Sequence, residues 1–229
     1  MSKAPGSVYL VGSSRGGTMA EVVRRVGGSV RPRSSNLRVA LSLAALPTVN
    51  GEAQTRALAR SLFPGAVVER FAVEGEADAP RPAEARATVE QADVLFFGGG
   101  DPVLAARRLV EAGADEWVRE ARASGATCIG LSAGSIALAA FWADWPADDP
   151  DAEPTLVRCI GAAPRVVVDC HAEADDWEEL RLVQRRMGSD AAELTFAGIG
   201  HGSALVVGAH DELSWIGPGV TLSPVARSD

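Results

Sequence analysis

Cysteine is scarce in this 229-residue chain. Only Cys128, Cys159 and Cys170 occur, and so small and odd a set builds no disulfide framework, which points to a reducing cytoplasm. Long apolar runs are also missing: none approaches the roughly 20 residues needed to span a bilayer. The opening MSKAPGSVYLVG enters an apolar stretch shorter than a signal-peptide core and carries no cleavage site. An excess of positive charge is the third absence. With 22 Lys+Arg against 30 Asp+Glu the formal net charge is −8, so the mean field suits neither a nucleic acid nor an anionic membrane as partner. Internal repeats, low-complexity tracts and an interdomain linker are lacking too. The expectation is a cytoplasmic protein of one domain, residues 1–229.

What the chain does contain is apolar material, 47% of its residues, enough for a substantial core. It is distributed as strand-length runs alternating with helix-length amphipathic segments. SVYLVG (7–12), LRVALSLAAL (37–46), AVVERFAV (66–73), DVLFFGGG (93–100), ATCIGL (126–131) and RVVVDCH (165–171) contain strands. Helices are expected at 51–63, 81–92, 102–125 (one or two), 135–142 and 175–187, and SALVVG with ELSWIG (203–208, 212–217) reads as a late β-hairpin. Continuous apolar strands between helices predict an α/β fold, a mostly parallel sheet covered on both faces, which places ligands at the strands' carboxyl ends. ADWPADDPDAEPT (143–155) holds three prolines and five acids and reads as an exposed, lid-like or site-forming loop. Its Asp148, Asp149, Asp151 and Glu153 form a solvated face.

Two glycine-rich turns fall at that edge. VGSSRGGT (11–18) lacks the phosphate-loop and dinucleotide spacings and reads as a βα turn. FFGGGDP (96–102) presents unhindered backbone N–H donors, with Asp101-Pro102 starting a helix. Gly130-Leu131-Ser132-Ala133-Gly134 then fits a nucleophile elbow, strand before and helix after, with Ala133 N–H aimed toward an oxyanion.

A serine hydroxyl needs a base, and only three histidines are available. His171 ends a strand at the expected edge and is favoured over His201 in the turn GIGHG, while His210 sits between the hairpin strands. For the acid, Asp144 in the proline-rich loop competes with Asp169, which shares a strand face with His171. Cys170, His171 and His201 match no standard metal spacing, so neither metal nor cofactor is expected.

GGGDP, GLSAGS, VVVDCH and GIGHGSALVV together resemble the serine peptidase family of dipeptidase E and cyanophycinase, over about residues 90–210. The resemblance implies a three-layer, class I glutamine amidotransferase-like (flavodoxin-like) fold, a short-peptide substrate, no metal, and a homodimer or higher homo-oligomer. It assigns Ser132 as nucleophile, His171 as base, and Gly100 and Ala133 as oxyanion hole; Gly99, Asp101 and Asp169 are further candidates for lining the substrate, Asp101 standing where the family usually has Asn or Gln. Asp144 is the nearest match to the dipeptidase E acid, whereas GIGHG puts His201 where a cyanophycinase-like carboxylate is expected. After the histidine the family carries arginines for acidic substrates; here the segment reads HAEADDWEELR, with Asp175, Trp177 and Glu178, and arginine returns only at Arg181, Arg185 and Arg186. An acidic substrate group without an arginine nearby is left unpaired. The expected function is therefore a serine exopeptidase, of dipeptidase or carboxypeptidase type. The alternatives are a strict α-aspartyl dipeptidase or cyanophycinase-like enzyme, an esterase or amidase, and a non-catalytic metabolite-binding or assembly subunit of the same fold.

Overall fold

A computed structural model of the chain describes residues 4–14, 17–30, 32–47, 51–76, 79–146 and 152–223. Three sheets form among them. The largest takes Val8–Val11 (β1), Arg38–Ser42 (β2), Val67–Phe71 (β3), Val94–Phe97 (β4) and Thr127–Leu131 (β5), with the later Ala204–Val207 (β10) and Leu213–Ile216 (β11). Between these in sequence lie a short hairpin, Phe141–Asp144 (β6) and Thr155–Arg158 (β7), and a smaller sheet of Val166–Cys170 (β8), Thr195–Ile199 (β9) and Val220–Ser223 (β12). The helices are Thr18–Ser29 (α1), Glu52–Leu62 (α2), Pro82–Gln91 (α3), Pro102–Glu111 (α4), Ala114–Ala123 (α5), Ala133–Leu138 (α6) and Glu178–Met187 (α7).

The main sheet runs β3-β2-β4-β5-β1, all parallel, and continues into β10, antiparallel to β1, and β11, antiparallel to β10. The mostly parallel α/β fold and its late hairpin are thus present. Alternation along each strand feeds two separate cores. Val8, Leu10, Leu95, Phe97 and Cys128 pack with Val89, Leu109 and Val118 of α3, α4 and α5. Tyr9, Val11, Val94, Phe96 and Ile129 pack with Val22 and Val26 of α1 and Ala59 of α2. The first core extends through α6 to Val167 and Phe196 of the smaller sheet, so β8 and β9 are tied to the elbow helix by shared apolar burial. None of the helices is long and apolar enough to cross a membrane, among the described residues.

Local geometry refines three expectations. Segment 102–125 divides into α4 and α5 at Gly113, whose φ of 69° is left-handed. The helix expected over 135–142 starts at Ala133 and stops at Leu138. Ala140 instead donates to Val166 O (2.9 Å) and accepts from Cys159 N (3.0 Å), bonds to neighbouring strands that a continued helix would forfeit. The ends of the expected loop 143–155 pair as strands, Asp144 opposite Thr155. Asp148, Asp149 and Asp151 lie outside the described residues, whereas Glu153 is ion-paired with Arg186 at 2.8 Å.

Candidate active site

The end of β5 delivers Ser132 into a sharp turn at φ 52°, ψ −118°, a strained conformation for a residue with a Cβ, costing about 1–3 kcal/mol. Surrounding bonds hold it there. Ser132 N–H donates to Val11 O (2.8 Å), and its carbonyl accepts from Ser135 N (2.7 Å), so α6 begins at once. Ser135 Oγ accepts from Val11 N (2.8 Å) and donates to Val11 O (3.0 Å), fastening the first turn of α6 to β1. The flanking glycines are steric necessities: a Cβ on Gly130 would lie 2.6 Å from Gly134 O, and one on Gly134 would collide with Phe97 O.

His171 reaches the same point from the smaller sheet. Its N–H donates to Ile199 O (2.9 Å), and a positive φ of 51° turns the chain off β8. The result is a 2.7 Å hydrogen bond between Ser132 Oγ and His171 Nε2. The serine is half-buried and the histidine exposed, so the pair opens to solvent.

The GGG segment lies alongside. A Cβ on Gly99 would sit 3.6 Å from Ser132 Cβ, and Gly100, at φ 145°, passes so close to Ala45 O that a side chain cannot fit. Among the described residues the N–H groups of Gly99, Gly100 and Ala133 donate to no protein acceptor. Asp101 caps α4: its Oδ1 accepts from Val103 N (2.9 Å) and Leu104 N (3.0 Å).

Both expected acids have other partners. Asp144, on β6, forms an ion pair with Arg107 of α4. Asp169 is buried on β8, where Oδ1 accepts the Cys170 N–H (2.7 Å) and Oδ2 has no hydrogen-bond partner among the described residues. Burial, outweighing that bond, pushes its carboxyl up to about 7, with Glu179, Asp175 and Glu173 adding to the rise. The strand logic that put Asp169 on the His171 face fails because His171 has left the strand. No carboxylate hydrogen-bonds the His171 ring among the described residues.

The residue sequence reasoning passes over is Glu173. It opens a single 3₁₀ turn, Glu173–Asp175, and its Oε1 accepts the His201 N–H at 2.6 Å. The His201 ring stacks on that of His171, centroids 5.5 Å apart and planes within 9°, and its Nδ1 lies 3.0 Å from Ser13 Oγ. The available signal was its position two residues after the expected base, but a short turn has no periodicity to announce it. His210 stays remote, its N–H bonded to Glu212 (2.9 Å). Downstream, Arg181 pairs with Asp176 and Arg186 with Glu153, Arg185 is exposed, and Trp177 is buried over Gly198. No cluster of His, Cys, Asp and Glu is arranged to hold a metal ion among the described residues.

Comparisons with known proteins identify the family. The model of Peptidase family S51 matches residues 76–213. A crystal structure of a peptidase from an acI-B1 Actinobacterium superposes with a TM-score of 0.69 at 20% identity, covering 99% of this chain and 97% of that one. A putative peptidase E protein from Listeria monocytogenes EGD-e gives 0.62 at 18% identity, covering 93% and 98%; at such identities these two speak for the fold. No curated protein matches the chain. The family match spans well over half the sequence and contains the elbow, the glycine segment and both stacked histidines: the chain belongs to peptidase family S51 and is a serine-type peptidase.

Proposed function

We propose that this protein is a serine exopeptidase of short peptides. Ser132 attacks the scissile carbonyl, His171 takes its proton and returns it to the leaving amine, and the Gly100 and Ala133 N–H groups stabilise the tetrahedral oxyanion. The observation that carries this reading is the 2.7 Å contact between Ser132 Oγ and His171 Nε2 at a strained turn. Gly99 and Asp101 border the peptide on the other side. The arginines after His171 support a substrate without an acidic side chain: Arg181 and Arg186 are already paired with Asp176 and Glu153, and Glu173, Asp175 and Asp176 add negative charge nearby. An incoming aspartyl carboxylate meets this negative charge, with Arg181 and Arg186 already engaged.

A fluorophosphonate probe tests the mechanism. Wild type is expected to be labelled at Ser132, and Ser132→Ala to lose labelling together with about 10⁴-fold or more in kcat. Normal peptide hydrolysis by Ser132→Ala sinks the reading. A panel of free and end-blocked di- and tripeptides tests specificity: unblocked short peptides are cleaved and doubly blocked ones are not. Strong preference for an N-terminal aspartate overturns the argument from the arginines.

A further inference from the structure

With both expected acids engaged elsewhere, the base still needs something to orient its ring and offset its charge when protonated. We propose that Glu173 is the positioning carboxylate of the site: it pins the His201 turn, so that the His201 ring backs the His171 ring, and it lays a negative charge beside both. This rests on the serine–histidine reading above.

The geometry is specific. Because His171 turns off β8 with positive φ, the next residues fold back over the same edge instead of continuing outward. Glu173 Oε1 thereby reaches the His201 N–H at 2.6 Å. A Cβ on Gly200 would stand 2.5 Å from that oxygen, so the glycine before His201 is what lets the carboxylate lie against the turn. His201 is then held twice, at its backbone by Glu173 and at Nδ1 by Ser13 Oγ (3.0 Å). Its ring runs parallel to that of the base, centroids 5.5 Å apart, a neighbour that opposes rotation of the imidazole away from Ser132.

Charge completes the case. A neighbouring carboxylate offsets positive charge that develops on the base during the reaction. Glu173 is suited to this: partial desolvation pushes its carboxyl up, but its own N–H, the His201 N–H and the positive charge of His201 and His171 together hold it below the usual carboxylate range. It therefore stays ionised wherever the base works. The other acids near this end of β8 are Asp169, Asp175 and Glu179; Asp175 and Glu179 act on Asp169, which is buried. The Glu173 carboxyl interacts with both rings. The negative charge thus comes from the turn directly after the base, while a histidine occupies the later segment.

The test measures fluorophosphonate labelling of Ser132 against pH, which needs no known substrate. Glu173→Gln keeps the shape and an acceptor for the His201 N–H but removes the charge. We expect labelling to slow about 5- to 20-fold, a modest factor because the site is solvent-exposed. The acidic limb of the profile should move to lower pH, since the protonated base loses its counter-charge. In Glu173→Asp, which keeps the charge on a shorter arm, the limb stays in place and the rate falls less. A glutamine variant with wild-type rate and limb overturns the proposal. Should that variant fail to fold, the aspartate variant decides: slower labelling with an unmoved limb supports the proposal, and wild-type labelling or a displaced limb overturns it. If wild type is not labelled at all, the serine mechanism has failed instead.

Discussion

Ser132, His171 and Asp169 show how single residues are set by what surrounds them. The first two occupy positive-φ conformations that side chains ordinarily avoid, and both are exposed enough to meet a substrate. Asp169, two residues from the base, is buried instead. Its carboxyl ionises at the ordinary 3.8 when unfolded, yet burial makes it hold its proton to about 7 in the fold. The folded state therefore binds more protons between those values, and stability falls as pH rises through that window. Asp169→Asn is expected to gain roughly 1–3 kcal/mol at pH 8 and almost nothing at pH 4. Urea unfolding at both pH values checks this; an equal gain at both would mean that packing, not ionisation, is responsible.

Among the elements, α6 has the most demanding role. It is only six residues long, too short for stability of its own, so its position depends on fixed bonds to its neighbours. The Ser135 hydroxyl supplies two of them to Val11 of β1. Replacing it with alanine removes both side-chain bonds that tie the first turn of α6 to β1. Ser135→Ala is thus expected to lower stability by about 1–3 kcal/mol, read from the shift in thermal or urea midpoint. A variant as stable as wild type would show that the elbow is held by packing alone. The β6–β7 hairpin has a comparable structural use: Asp144 on its first strand is tied to Arg107 of α4, fastening the chain after the elbow to the helix after the GGG turn.

At the scale of the whole molecule, the larger of the two cores, the one that extends through α6 to the smaller sheet, encloses all three thiols. Cys128, Cys159 and Cys170 are buried, and burial pushes Cys128 and Cys159 up to about 12 and raises Cys170 likewise. The reactive thiolate is thereby suppressed. Native protein should give no rapid reaction with Ellman's reagent, and denatured protein three equivalents, one per cysteine. A thiol that reacts at the mixing rate in native protein would contradict this burial.

The amino-acid sequence by itself determined the features that depend on neighbours in the chain. Apolar runs between amphipathic helices specified the parallel sheet, because a strand covered on both faces must be apolar throughout. Glycines at 130 and 134 marked the elbow, because only a missing Cβ permits that approach of helix to strand. Asp101-Pro102 announced the start of α4 by capping chemistry, and the structure shows that cap. Ser132 and His171 were legible as candidates for the same reason, each ending an apolar strand. Other decisions belonged to the tertiary structure. Whether 139–144 extended a helix or became a strand turned on backbone partners at Val166 and Cys159, distant in sequence. The partners of Asp144 and Asp169 were set by Arg107 and by core burial, and neither alternation nor spacing encodes those. Glu173 and His201 meet because a positive φ at His171 folds one segment back while β9 brings the other alongside. Carboxylates act over a few ångströms, and 28 residues of chain between those two carry no record of that distance until the sheet has formed.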